Sequence, residues 1–542
     1  MNNSNNDLLD RLEKLNAIGV ALSAERDTNR TLEMILEAAK SLTNADGGTL
    51  YRVTDDHRLK FEILRNDTLK IAMGGTTGTP IPFDPLPLYD AKGNPNNSMV
   101  VANAVLKDVT INIEDAYSAE GFDFSGTRNF DQKTGYRSKS FLTIPMKNHE
   151  NEIIGVLQLI NAKQRKTGEI IPFSHADQRL TESLASQAAI SLTNRLLINQ
   201  LEELFESFIK LINVAIDEKS PYTGGHCERV PVLTMMLAEA ASAASEGPLK
   251  DFRMTEQDRK ELKIAALMHD CGKVTTPVHV VDKATKLHTL FDRIHLIDTR
   301  FEILKRDAEI ELLRAKVQHL EQGNRDVPVA LEHAFQQRLR QLDDDREFLR
   351  KCNLGGEFMS PDLQERVDDI ARNTWVNEKG ETAFFLSTDE VQNLKIAKGT
   401  LTDEERQIIN YHIVATIKML ETLPWPKNLK RVPEYAGGHH ERMDGKGYPK
   451  GLMREQMTIQ ARSLAVADIF EALTAKDRPY KPGKTLTESL KILGFMKKEN
   501  HIDPDLFDIF IREKVYLKYA EEFLDPEQID EVDVTKIPGF SG

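Results

Sequence analysis

Apolar residues near the start of the chain recur with the period of a helix. Leu8, Leu12, Leu15 and Ile18, then Leu32, Ile35, Leu36 and Ala39, predict helical segments within residues 8 to 44. From Gly47 the period shortens to two. The runs 48–53 and 59–64 predict strands separated by a polar turn, and 140–146 with 153–161 predict an antiparallel pair around 148–152. Helices followed by paired strands make this an α+β unit of the size of a sensor domain.

Between Asp177 and Asp217 the chain contains neither Pro nor Gly and predicts one continuous helix. Within it Leu197, Leu201, Leu204, Phe208, Leu211 and Ala215 alternate spacings of four and three, the seam expected of a short parallel coiled coil between two copies of the chain, with a single helix packed on its own domain as the alternative. Further on, Ile264, Leu267 and Met268 give a helix a buried face, and Gly272 is placed to stop it. Charge-rich segments 291–320 and 329–352 flank the turn 323–328 and predict an antiparallel helical hairpin. Thr402 and Glu405 form a capping box that opens another helix, and 461–475 predicts a further one.

Composition narrows the class. A chain of 542 residues exceeds one core and implies two to four domains, and 40% hydrophobic with 29% charged residues is ordinary for a globular protein. No run of about eighteen apolar residues occurs, and the first residues lack the basic and apolar regions of a signal peptide, so a cytoplasmic protein without membrane insertion is expected. Three cysteines cannot build a disulfide framework; Cys227 and Cys271 are read as packing thiols, not ligands. The net charge of −14 argues against long nucleic acid as a partner.

Candidate chemistry changes the picture most. Of 14 histidines, five fall in dense motifs: His226 after a Gly-rich turn, His269 beside Asp270, His412, and the doublet His439-His440. Asp468 sits amid Leu464, Ala465, Val466 and Ile469, where a carboxylate needs a cation. Imidazole with carboxylate suits iron, manganese or zinc, and six or more such groups exceed the needs of one tetrahedral ion, which implies a multinuclear site. His295, His319 and His333 belong to no such motif and are read as solvated helix-face residues.

The N-terminal pattern resembles a GAF domain over roughly residues 27 to 195, carried by 134–136, 140–142 and 155–161. Many nucleotide-responsive GAF units carry a motif that begins Asn-Lys and ends Phe, three residues, Asp-Glu. Here Ala162 follows Asn161 and Gln178 follows Asp177, which weighs against cyclic-nucleotide binding in this unit and leaves a small-molecule ligand or a relay role. The segment 213 to 525, less an insertion, closely resembles the HD-GYP branch of the HD-superfamily phosphohydrolases. That resemblance implies an all-helical metalloenzyme that hydrolyses cyclic dinucleotides, with a metal-bridged hydroxide as nucleophile.

Carried over by motif position, His226, His269, Asp270, His412, His439, His440 and Asp468 would ligate metal, with Asp270 bridging. Lys273 would help hold the scissile phosphate, and Tyr448, Arg478 and Lys481 would bind substrate. The implied cofactors are two divalent ions, iron or manganese first. Relatives with three ions take a Glu four residues before the first His, where this chain has Tyr222. The expected organisation is an N-terminal helix (1–26), a GAF-like sensor (27–176), a signalling helix (177–216), an HD-GYP domain (217–525) with a helical insertion (about 287–399), and a tail (526–542). The expected function is hydrolysis of cyclic di-GMP or 3',3'-cyclic GMP-AMP by a homodimer regulated through its GAF unit. A catalytically silent nucleotide-binding module and another HD-superfamily nucleotide phosphohydrolase are the alternatives.

Overall fold

The computed structural model describes residues 2–219, 225–324, 326, 328–356, 358–377, 379–476 and 483–540, with side chains from residue 11 onward. Two compact units divide it, residues 1–205 and 206–542.

The first unit opens with helices α1 (Asn2–Ala24) and α2 (Thr28–Thr43), the latter begun by Asp27, whose side chain accepts from the Arg30 amide. Strands β1 (Ala45–Val53), β2 (Arg58–Asn66), β3 (Ile71–Gly74) and β4 (Leu86–Pro87) follow. Next come α3 (Val100–Lys107), β5 (Ile111–Ile113), α4 (Ser125–Thr134), β6 (Phe141–Lys147), β7 (Ile153–Lys163) and β8 (Ile170–Ile171). The eight strands form one antiparallel sheet with main path β3-β2-β1-β7-β6-β5, so the two pairs foreseen from the sequence lie side by side at its centre. Alternation sorts the faces. Leu50, Leu142, Leu157 and Leu159 pack with Ile35 and Leu36 of α2 and Leu184 and Ala188 of the next helix. Tyr51, Val156 and Phe141 turn to the other face, toward α3 and the segment before α4. Leu15 and Leu22 of α1 are buried in the first of these cores, so α1 belongs to the sensor fold.

Helix α5 (His175–Lys219) runs 45 residues and passes from the first unit into the second. The predicted seam is solvent-exposed in the single chain: Leu201 and Leu211 are 64% and 61% exposed.

The second unit begins with α6 (His226–Ala243), α7 (Glu256–Met268) and the short α8 (Val278–Val281). An inserted subdomain follows, with the foreseen hairpin α9 (Ile294–Glu321) and α10 (Val329–Asn353), then α11 (Pro361–Ala371), the two-stranded β9 (Thr374–Val376) and β10 (Thr382–Phe384), and α12 (Thr388–Leu394). It has a core of its own around Phe301, Leu342, Leu349 and Phe385. Its ends meet: buried Lys286 Nζ donates to the Leu394 carbonyl at 3.0 Å, and buried Lys283 reaches Glu405 across 122 positions at 2.7 Å.

Helices α13 (Asp403–Glu421), α14 (Val432–Gly437) and α15 (Ile459–Thr474) return to the main body. The Thr402–Glu405 capping box is formed. Helices α16 (Leu486–Lys498), α17 (Pro504–Arg512) and α18 (Val515–Phe523) complete a core with α6 and α15 around Phe470, Phe510 and Tyr519. Residues 526–540 fold back onto it, with Ile537 buried. No helix among the described residues is long and apolar enough to cross a membrane.

Candidate metal centre

Five helices deliver seven groups to one place. His226 is the first residue of α6, behind Gly225 in the left-handed conformation (φ 81°). His269 caps α7 and Asp270 starts the tight turn 271–275. His412 lies within α13, His439 and His440 directly follow α14, and Asp468 lies within α15. Val230, Ala266 and Leu464 pack α6, α7 and α15 together behind the cluster.

Gly272 does not stop α7, which ends at Met268. It lies inside the following turn, where a Cβ would stand 2.0 Å from the His412 carbonyl oxygen. Its amide donates to Thr416 Oγ1 at 2.9 Å. The missing side chain is thus what lets this turn abut α13 and bring Asp270 to His412.

Asp270 is 3% exposed and faces two ways. Its Oδ1 is 3.3 Å from His412 Nε2, while Oδ2 is 3.3 Å from His226 Nε2 and 3.2 Å from His269 Nε2. Asp468 Oδ1 joins the second side, 3.2 Å from His226 Nε2. On the first side His440 Nε2 lies 3.1 Å from His412 Nε2. The donor atoms of His412, His439 and His440, and those of His226, His269 and Asp468, each cluster within 4.8 Å, and His269, Asp270 and His439 form a third such group between them.

The tautomers follow from hydrogen bonds. Nδ1 of His269, His412 and His439 points at the carbonyls of Ala266, Ile409 and Ala436 at 2.7, 2.5 and 2.7 Å. A carbonyl only accepts, so each Nδ1 carries the proton and each Nε2 presents a lone pair inward. Nε2 of His226, His269 and His439 is buried without a hydrogen-bond partner. Orphaned acceptors beside buried carboxylates are costly unless a cation compensates them, so this donor set fits divalent metal.

Electrostatics point the same way. Burial would raise the Asp270 carboxyl, but Lys273 and His269 take it well below the usual carboxylate range. Burial would lower His269, yet Asp270 and Asp468 hold it at about 9. His440 is pushed down to about 4, chiefly by burial. Without a metal the carboxylate end therefore draws a proton onto His269 Nε2, the position a divalent ion would take in its place, while His440 at the doublet end stays neutral.

Around the cluster, Lys273 Nζ rests on Asp270 Oδ2 at 2.5 Å. Tyr448 stacks on His440, with ring centroids 4.8 Å apart and planes 15° apart, and burial pushes its hydroxyl up to about 12. A cavity of about 450 Å³ opens here, bordered by His440, Tyr448, Asp468, Arg442 and His501. Buried Glu441 accepts from the Lys450 and Leu452 amides at 2.7 and 2.9 Å and so ties down the loop that carries Tyr448. Arg478, Lys481 and Tyr222 lie outside the described residues. Exposed His295 and His333 and half-buried His319 belong to the insertion, outside the cluster.

Sequence reasoning missed Glu471. It is fully buried on α15, one turn beyond Asp468, and receives His226 Nδ1 and, at 2.7 Å, Arg229 Nε. His226 is therefore held by a carboxylate where the other histidines use backbone carbonyls. The available signal was a second acid three residues after Asp468, with Arg229 three after His226. His501 and Arg442 carried no comparable signal.

Residues 27–192 match the family model of the GAF domain, and residues 223–350 and 387–506 each match a model of the HD domain. The first HD match holds His226, His269 and Asp270, and the second holds His412, His439, His440 and Asp468. The two segments thus build one cluster. Among curated proteins, a 3'3'-cGAMP-specific phosphodiesterase of Vibrio cholerae is 41% identical over 161 residues, covering 28% of this chain and 36% of that protein. A cyclic di-GMP phosphodiesterase of Pseudomonas aeruginosa is 37% identical over 114 residues, covering 21% and 26%. One of Thermotoga maritima is 34% identical over 114 residues, covering 21% and 30%. The chain therefore spans about a quarter to a third of the length of these relatives.

Proposed function

We propose, from a chain that joins a GAF domain to an HD domain of the HD-GYP type, that this protein is a metal-dependent phosphodiesterase for a cyclic dinucleotide, cyclic di-GMP first and 3',3'-cyclic GMP-AMP second. The observation that carries the reading is the paired arrangement about Asp270, whose two oxygens face different histidine groups with inward lone pairs. His226, His269, Asp468 and Asp270 Oδ2 would hold one divalent ion. His412, His440 and Asp270 Oδ1 would hold another, with His439 between. Iron and manganese suit this mixed imidazole and carboxylate set. Bound, such ions supply Lewis-acid stabilisation of a phosphodiester and activate water at neutral pH.

The chain's own groups do the rest. Glu471 accepts the Nδ1 proton of His226 and keeps its Nε2 free for coordination. Lys273, on Asp270, supplies fixed positive charge for a phosphoryl oxygen. Tyr448 keeps its proton at neutral pH, which suits it to donate to a phosphate oxygen at the cavity mouth. The GAF unit would regulate this centre through α5.

The test is product chromatography on the purified full chain with iron or manganese and each cyclic dinucleotide, alongside Asp270→Ala. Metal-dependent turnover lost in the variant is expected. Undiminished turnover by Asp270→Ala would overturn the proposal, and nucleotide binding with no turnover under any metal would make the chain a silent binding module.

A further inference from the structure

The inserted subdomain carries an apolar surface that neither the metal centre nor its own core uses. Helix α9 is apolar on two sides. Ile297, Phe301 and Leu304 are buried and pack with Leu342 and Leu349 of α10 in the insertion core, and Leu312 is buried on that side too. On the outer half of the helix, Ile310, Leu313, Val317 and Leu320 face solvent instead, between 43% and 54% exposed. Single exposed apolar residues are ordinary, but four on one stripe of a charged helix mark a contact surface.

Their shape suits a helix. The spacings are three, four and three, so Ile310 and Val317 take the a positions and Leu313 and Leu320 the d positions of a coiled-coil seam. A shallow hollow of about 300 Å³ lies along this stripe, lined by Ile310, Leu313, Arg314, Val317, Gln318 and Glu321, all on α9. Ile310, Leu313, Arg314 and Val317 stand at i, i+3, i+4 and i+7, the four corners of a hole that takes one knob from a facing helix.

Charge selects the occupant. The residues flanking the seam are Glu309 and Lys316 on one side, Arg314 and Glu321 on the other. In two parallel copies in register, each residue of the first kind meets the residue five positions on in the other copy. Glu309 then faces Arg314 and Lys316 faces Glu321, unlike charges in both cases. Glu309 and Arg314 are exposed and form no ion pair among the described residues, while Lys316 is also held by Glu332 of α10 at 2.8 Å. Towards the base of the helix Arg306 occupies the next d position, where two guanidinium groups would oppose each other. The seam is therefore confined to the outer two heptads.

We propose that the outer half of α9, residues 309 to 321, pairs in parallel register with the same segment of a second copy of the chain. This contact is distinct from the exposed stripe of α5 and does not depend on the enzymatic reading above. So short a seam belongs to the weak, transient class of contacts, which is read by trapping rather than by mass.

Disulfide trapping on the full-length protein tests it. Val317→Cys puts a thiol at an exposed seam position, where parallel partners come within reach of a disulfide. Glu311→Cys puts one at an exposed position about 100° round the same helix from Ile310. Under mild oxidation Val317→Cys should run as a covalent dimer on a non-reducing gel, while Glu311→Cys and the native chain, whose Cys227 and Cys271 are buried, stay monomeric. Adding Leu313→Glu to Val317→Cys should abolish the trapped dimer, since it sets two carboxylates face to face in the seam. All three side chains are exposed, so folding is not at stake. No trapping at Val317→Cys, as expected were the stripe reserved for a helix of another protein, would overturn the proposal. So would equal trapping at both positions, or trapping indifferent to Leu313→Glu.

Discussion

Replacing Glu471 by Gln tests whether the tautomer of His226 is set from behind. The substitution conserves volume at a fully buried position, so packing is kept and only the hydrogen-bond chemistry changes. The wild-type carboxylate receives two donors, His226 Nδ1 and Arg229 Nε. An amide can accept on one side only. If its NH2 faces Arg229, two donors meet in a buried site at a cost of about 1–3 kcal/mol. If it faces His226, Nδ1 must become the acceptor, and the proton moves to Nε2, the atom that faces Asp270 and Asp468. Either outcome weakens coordination by His226. Loss of such a partner typically costs 10- to 100-fold in metal affinity, about 1.4–2.7 kcal/mol. The assay is competition against a chelator of known affinity, followed by kcat at saturating metal. The expected result is an affinity lower by at least roughly tenfold, with kcat largely restored by excess metal. Unchanged affinity in a folded Glu471→Gln protein would refute the reasoning.

Gly272→Ala should reduce turnover by more than about 100-fold while the protein still folds, because its Cβ would force the turn carrying Asp270 away from α13; activity near wild type would show that the approach is dispensable. Leu201→Glu with Leu204→Glu should turn a dimer into a monomer by light scattering, since both residues lie on the exposed stripe of α5, and an unchanged mass would move the interface elsewhere. Asp503 is buried, caps α17 and pairs with Arg454 and Arg462, so Asp503→Ala should cost about 3–5 kcal/mol of stability in denaturant unfolding. Burial would raise its carboxyl, but Arg462 and Arg454 hold it low, so this contribution is complete above the ordinary carboxylate range and fades as pH falls through the depressed value; the gap between variant and wild type should therefore shrink in acid.

The seven residues of the cluster, Asp270 among them, were visible in the sequence because histidine is scarce and here occurs in dense company. The central strands were visible because apolar runs such as 141–146 and 153–160 are bounded by polar turns. What stayed hidden depends on distance. Glu471 reads as one more acid on a helix until His226, 245 positions away, is placed against it. Gly272 looked like a helix terminator, and only the return of α13 shows that it makes room. Strands β3, β5, β9 and β10 have three or four residues each, too few to carry a period. Lys163 is adjacent in sequence to the altered motif position, but its attachment to Asp46 needed the sheet to fold.

The joined ends of the insertion bear on how the metal cluster can assemble at all. Lys283 and Glu405 stand 122 positions apart and touch, and His269 and His412 flank that join. Bringing the ends of an unstructured loop of this length together costs about 4 kcal/mol in chain entropy by the (3/2)RT ln n relation. A subdomain with its own core and adjacent termini removes that cost from the assembly of the cluster. It acts as a long splice whose interior holds its two ends in register. Damage to Phe301 or Phe385, side chains of the insertion core, would then be felt at His412 as lost chain closure rather than as a lost contact.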